Sequence, residues 1–226
     1  MSNELVRLTT QEISKAIPIT TSLIIAEKTG IQHKNILELI KTYNDELNQF
    51  GRVAFETLPF KTSGGIQQRN VYYFNEQQAT FFITLMRNTK EVIEFKLALV
   101  KAFYLMKNEL LARSETRLIA KNVRKSLTDS IKNNIPEGNF KKFAYSNYTK
   151  TIYKKLFGKT TKELKEIMNV PEGKNIRDYF SIENLEKIQD IESEIATILE
   201  FERDINEKEL FQKISIYIEN KYRKVK

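Results

Sequence analysis

The sequence predicts a mainly α-helical fold with one small β-hairpin, on three observations. Glycine and proline are scarce, 7 and 4 in 226 residues, so the chain lacks the punctuation of a many-turned β-sandwich. Apolar residues recur at spacings of three and four over most of its length, the period of a helix with one buried face. Only one stretch sets two β-prone runs, residues 53–58 and 69–74, around a glycine-containing turn, Ser63-Gly64-Gly65. A hydrophobic fraction of 41%, with 14 Phe and 10 Tyr, supplies a core, and the length suits two folded units.

Taken in order, the first element is expected after Ile17-Pro18-Ile19. There Thr20, Thr21 or Ser22 can cap a short helix reading SLIIAEKTG, whose last residue, Gly30, supplies the left-handed exit. Gln32-His33-Lys34-Asn35 opens a second helix. Its Ile36, Leu37, Leu39, Ile40, Tyr43 and Leu47 form the inner face, while Lys34, Glu38, Lys41 and Asn44 look outward. Helix, tight turn and helix are the grammar of a helix-turn-helix, and the hairpin that follows makes the expected N-terminal domain a winged helix-turn-helix. Asn75-Glu76-Gln77-Gln78 starts a further helix. After Asn88-Thr89 a long amphipathic helix runs through Val92, Phe95, Leu99, Phe103, Met106 and Leu110, with room to continue towards Ser130. An element of that length serves as a spine between two halves or as a dimerisation helix. Beyond the polar stretch 132–139, segments 143–156, 160–168, 181–203 and 207–222 read as helices. They are separated by Gly158, Pro171-Glu172-Gly173 and Asp204-Ile205-Asn206, with Thr160/Glu163 and Ser181/Asn184 as cap-like starts. The expected organisation is an N-terminal domain over 1–112, a basic helical linker over 113–142 and a helical domain over 143–226.

Charge narrows the function classes. The net charge is +8, and the excess lies in the middle: residues 113–170 hold 14 basic and 5 acidic side chains, against 13 and 11 before them and 10 and 13 after. A local basic excess predicts an anionic partner, for which nucleic acid is the commonest choice, the alternative being a solvated lysine-rich face. There is no cysteine and one histidine, so no thiol nucleophile or thiolate metal site exists. No phosphate-cradling glycine loop or acidic motif completes an active site, and neither catalysis nor a metal or cofactor is expected. The N-terminus has no signal-peptide layout, and no apolar run could span a bilayer, so a cytoplasmic, nucleoid-associated location with no membrane partner is expected.

The candidate binding residues follow from duplex chemistry. A helix fits the major groove, where Asn and Gln pair with adenine and Lys or Arg reaches guanine. The second helix would therefore place Gln32, His33, Lys34 and Asn35 at bases or phosphates, with Glu38 and Lys41 one turn on. A lone histidine such as His33 is more often a structural hydrogen-bonder than a contact residue. Around the hairpin tip, Lys61, Gln67, Gln68, Arg69 and Asn70 would meet phosphate or the minor groove. In the basic middle, Lys121, Arg124, Lys125, Lys141, Lys142, Lys154 and Lys155 would neutralise phosphates. The aromatics between them, Phe143 included, have the spacing of core residues.

The segment from TTSLIIAEKTGIQHKNILELI through QQRNVYYFNEQQATFFITLMRNTKEVIEFKLALVKAFYLMKNEL resembles the phage regulatory Rha family. The likeness rests on parts recurring in order: Ser22, Ala26, Glu27, the His33-Lys34-Asn35 triplet, Phe55, Tyr72 or Tyr73, Lys96, Phe103 and Met106. The opening Thr21-Ser22-Leu23 lacks the basic residue commoner in that family. The resemblance implies a phage or prophage DNA-binding transcriptional regulator, with double-stranded DNA as partner and a homodimer as the expected assembly. The C-terminal part looks like the helical segments behind phage antirepressor modules. This offers a second expectation, protein contact with a phage or host repressor, which the acidic balance of 171–226 favours.

Overall fold

In the computed structural model, which describes residues 5–62, 64–202 and 206–222, the chain divides into two compact units, Met1–Leu111 and Ala112–Lys226. The first combines a four-stranded antiparallel sheet with short helices, and the second is wholly helical among its described residues.

The first unit opens with β1 (Arg7–Leu8) and β2 (Pro18–Thr21), neither of which was expected from the sequence. Both are shorter than the window in which alternation becomes visible, and tertiary pairing makes them strands: β1 pairs with β2, and β2 with a later strand through Ile19↔Asn75 and Thr21↔Tyr73. Helix α1 (Ser22–Thr29) follows without a break. The Thr21 hydroxyl accepts from the Ile24 N–H at 3.2 Å, and Gly30, at φ +69°, ends the helix in the left-handed conformation expected of it. Next come α2 (His33–Thr42) and the short α3 (Asn44–Asn48). The single helix expected to reach Leu47 is broken at Tyr43 (φ −111°, ψ 29°), yet Ile36, Ile40 and Leu47 all remain buried.

Strands β3 (Ala54–Thr62) and β4 (Gly65–Asn75) pair continuously from Ala54↔Tyr73 to Thr62↔Gly65. The hairpin is therefore longer than the runs 53–58 and 69–74 expected, and its turn is tighter. Ser63 of that turn lies outside the described residues. The strand order β1-β2-β4-β3 leaves β3 at an edge, where Pro59 is tolerated because a missing N–H breaks no inner ladder. Near its base β4 buries Val71 and Phe74, whereas the described side chains from Thr57 to Thr62 and from Ile66 to Asn70 are exposed or half-buried. About six residue pairs thus project from the core, roughly 20 Å at the strand rise.

Helix α4 (Glu76–Thr84) starts at an Asn75/Gln78 capping box, and α5 (Lys90–Asn134) is one continuous helix. Val92, Phe95, Leu99 and Phe103 of α5 join Ile25, Ile36, Ile40, Phe74 and Phe82 in the core of the first unit.

From Ala112 onward α5 belongs to the second unit, together with α6 (Asn139–Phe157), α7 (Thr161–Ile167), a 3-10 turn (Ile176–Asp178), α8 (Ile182–Phe201) and α9 (Glu207–Tyr222). Capping at Thr160/Glu163 and Ser181/Asn184 sits where the sequence placed it. The region expected as a linker contributes Ala120, Leu127, Ile131 and Ile135 to buried positions, because its apolar residues keep helical spacing beneath the lysines. Phe143, expected in the core, is exposed: α6 starts at Asn139 and turns Ala144, Tyr148 and Ile152 inward, leaving Phe143 one position off that face. Asp204 and Ile205 of the expected break before α9 lie outside the described residues. Among the described residues no helix is long and apolar enough to cross a membrane.

Candidate functional site

Three elements of the first unit meet at Ser22. Its side chain, fully buried at the start of α1, accepts from the Tyr72 N–H of β4 at 3.0 Å and lies 2.9 Å from His33 Nε2 at the start of α2. A hydroxyl can donate once while accepting, so one small side chain fixes the first turn of α2 against both α1 and the sheet. Partial burial of His33, and then the positive charge of Arg69, hold its proton affinity below the ordinary value. Arg69 therefore stands near enough for its field to reach the imidazole. Its guanidinium lies over the Phe60 ring, 5.0 Å from the centroid.

This junction sorts the candidate residues. His33 is half-buried and bonded, which makes it a positioning group rather than an exposed contact. Gln32, Lys34, Asn35, Glu38 and Lys41 are all exposed or half-buried at the surface, and Lys34 is drawn only loosely to Glu38, at 3.9 Å. The first turn of α2 carries no acidic residue, and the Gln32 side chain makes no capping bond, so its leading amides and these side chains present an electropositive end. On the hairpin, Lys61, Gln67 and Gln68 are exposed. Arg69 and Asn70, expected around the tip, sit lower on β4 opposite Leu58 and Thr57. Asn70 accepts from the Thr57 hydroxyl at 2.8 Å, because the continuous ladder moves the turn toward residue 64.

The basic candidates of the second unit divide in the same way. Lys121, Lys125 and Lys154 are exposed. Lys142 is exposed too. Arg124 donates to Glu192 at 2.9 Å and to the Thr149 hydroxyl at 2.8 Å; Lys141 donates to the Lys132 carbonyl and to Glu137, both at 2.7 Å; Lys155 pairs with Glu219 at 2.5 Å. These three are tied to the protein itself. Among the described residues no group of three or more His, Asp or Glu side chains comes together as a metal cluster.

Sequence reasoning missed the Ser22–His33–Tyr72 junction, although all three positions stand in the motif order that carries the resemblance. The same holds for Lys96, whose ammonium donates to the Met86 carbonyl at 3.2 Å and to Asn88 at 2.7 Å, pinning the α4–α5 connection. Phe103 is buried in the core. Among the motif positions Lys34 and Asn35 are exposed at the start of α2, Lys34 reaching only Glu38 at 3.9 Å.

The hydroxyl–imidazole contact thus holds the first turn of α2 against the sheet, with its outer side chains at the surface. The family model for phage regulatory protein Rha matches residues 20–108, which span β2 to α5 and include all of these groups. Over these residues, less than half of the chain, the sequence is similar to that phage regulatory family. No curated protein matches the chain.

Proposed function

We propose that the protein is a phage or prophage transcriptional regulator that binds duplex DNA without catalysis, reading it with α2 and bracing it with the β3–β4 hairpin. The observation that carries this reading is topological. A strand (β2), two helices joined by a glycine turn (α1, α2) and a returning hairpin, in the sheet order β2-β4-β3, fit a winged helix-turn-helix with α2 in the recognition position. The exposed Lys34 and Asn35 at its N-terminus, with Gln32 before them, have the chemistry for base edges and phosphates. The projecting hairpin carries Lys61, Gln67 and Gln68 alongside. The Ser22–His33 contact supports the reading, since it holds the helix end on the rigid sheet.

The test is binding of the full chain to fragments of its own phage genome, with bound DNA sequenced and a site then measured by fluorescence polarisation. Lys34→Glu combined with Asn35→Ala is expected to weaken the specific site by about tenfold or more. Unchanged affinity for every sequence would overturn the assignment of α2.

A homodimer fits the exposed face of α5. Ile93, Leu97, Val100, Tyr104 and Leu111 are each more than half exposed and follow the four-three alternation of a coiled-coil seam, with Lys107 at the intervening position. A second reading, capture of a repressor protein, draws on the exposed Phe201, Ile216 and Ile167 of the second unit. A repressor pull-down that persists in the Lys34→Glu/Asn35→Ala chain would favour it.

A further inference from the structure

The second unit contains a cleft of about 500 Å³ whose lining holds six cations, Arg117, Lys121, Arg124, Lys165, Lys174 and Arg177, and no carboxylate. Lysines scattered on a solvated helix face would not produce this. Four separate segments deliver the charges: α5, α7, the loop before the 3-10 turn, and the turn itself. Two of the arginines, Arg117 and Arg177, are buried.

The charges are organised in two layers. Beneath the cleft, Glu192, fully buried on α8, accepts two bonds from Arg177 at 2.9 and 2.6 Å and one from Arg124 at 2.9 Å. Asp178 accepts from Arg117 at 2.7 Å. Two carboxylates thus answer three guanidiniums. Above them Lys121, exposed, and Lys165, half-buried, have no carboxylate partner among the described residues. Three guanidiniums and two ammonium groups against two carboxylates leave an excess of three positive charges, before Lys174 is considered.

The cleft also keeps neutral donors in reserve. The Tyr153 hydroxyl, buried, accepts from Arg177 Nε at 3.1 Å, and its own proton has no acceptor among the described residues. Asn175 spends its carbonyl oxygen on the Arg177 N–H at 3.0 Å, so its amide protons remain to be given. A carboxylate ligand, with one charge and two oxygens, would leave much of this set unanswered. A phosphate group offers up to two charges and more acceptor oxygens, and so satisfies it.

We propose that this cleft is a phosphate-binding site that takes a phosphate ester of mononucleotide size. The Arg117–Asp178 and Arg177–Glu192 pairs form its fixed floor, and Lys121, Lys165, the Tyr153 hydroxyl and the Asn175 amide are the groups that close on the ligand. The volume exceeds that of a lone phosphate and falls within the range of small-molecule pockets. The same phosphate chemistry could be supplied by a free nucleotide or by one nucleotide of a strand. The site does not depend on the reading of α2.

The experiment uses the full chain in isothermal titration calorimetry at low salt. Its probes are a nucleoside 5′-monophosphate, the same nucleoside without phosphate, and a short single-stranded oligonucleotide. The monophosphate is expected to bind one per chain, the nucleoside not at all. Lys121→Gln with Lys165→Gln should weaken binding by about tenfold or more, while Lys208→Gln with Lys213→Gln, exposed on α9 and outside the cleft, should leave it unchanged. If only the oligonucleotide binds, with the same dependence on Lys121 and Lys165, the site stands and the phosphate belongs to a strand. In the unaltered chain the bound probe should slow acylation of Lys165, a readout that needs no variant to fold. Failure of both phosphate probes to bind, equal binding of the nucleoside, retained affinity in the Lys121/Lys165 variant, or unprotected Lys165 would each overturn the proposal.

Discussion

His33 is the only histidine of the chain, which makes its protonation directly readable as one imidazole resonance. Burial first and Arg69 second lower its proton affinity in the folded state. The unfolded chain therefore binds the proton more readily, and stability rises with pH across the window between the two values. The contribution is complete above about pH 6.5, the unfolded value, and is lost as pH falls below it through the depressed folded value. Two results are expected: an imidazole titration midpoint below 6.5 by NMR, and a fall in melting temperature below that pH that a His33→Gln chain does not share. A midpoint at or above 6.5 would mean that neither burial nor Arg69 acts on the ring. In the second unit, Glu192→Ala would strand Arg177 and Arg124 without their shared acceptor. For a buried pair broken on one side the expected cost is about 3–5 kcal/mol, read as a lower urea midpoint. The sequence could not announce this pair, since Arg177 and Glu192 look like any Lys/Arg/Glu surface until a fold buries them together.

Among the elements, those legible beforehand carried their own signals. The ends of α1, α4, α7 and α8 were visible because a hydroxyl or amide side chain precedes each, or a glycine follows, with chemistry that acts within four residues. Strands β1 and β2 have no such signal. β2 exists because β4 offers a ladder more than fifty residues downstream, and β1 because β2 then offers its other edge. The inner face of α5 was read from Val92, Phe95, Leu99 and Phe103, but the outer row was not singled out, because apolar residues on both faces blur a single stripe. That outer row makes a test at this scale. Leu97→Glu with Tyr104→Glu changes exposed side chains only, so the fold should persist by circular dichroism. If the seam pairs two copies, sedimentation should shift from dimer to monomer at micromolar concentration, because two buried carboxylates per helix oppose association. A wild-type chain that sediments as a monomer would remove α5 from the assembly altogether.

For the molecule as a whole, the proposed DNA binding raises the question of how a chain of net charge +8 would divide its affinity. The exposed residues of α2 and the hairpin are few and mostly neutral, whereas Lys121, Lys125, Lys142 and Lys154 of the second unit are exposed and charged. Neutral side chains at base edges discriminate between sequences, and lysines facing phosphates hold all sequences alike while releasing counterions. The two sets should therefore separate in a salt titration. Replacing Lys125, Lys142 and Lys154 by Gln is expected to weaken specific and random duplexes equally. The slope of log affinity against log salt should flatten by about 0.9 for each phosphate that is no longer neutralised. The Lys34→Glu/Asn35→Ala chain should instead lose its preference between the two duplexes, with a slope changed by the equivalent of about one phosphate. If the triple variant binds with an unchanged slope, the lysines of the second unit are a solvated face and the hold on DNA lies in the first unit alone. If it loses preference as well as strength, the second unit takes part in reading the site.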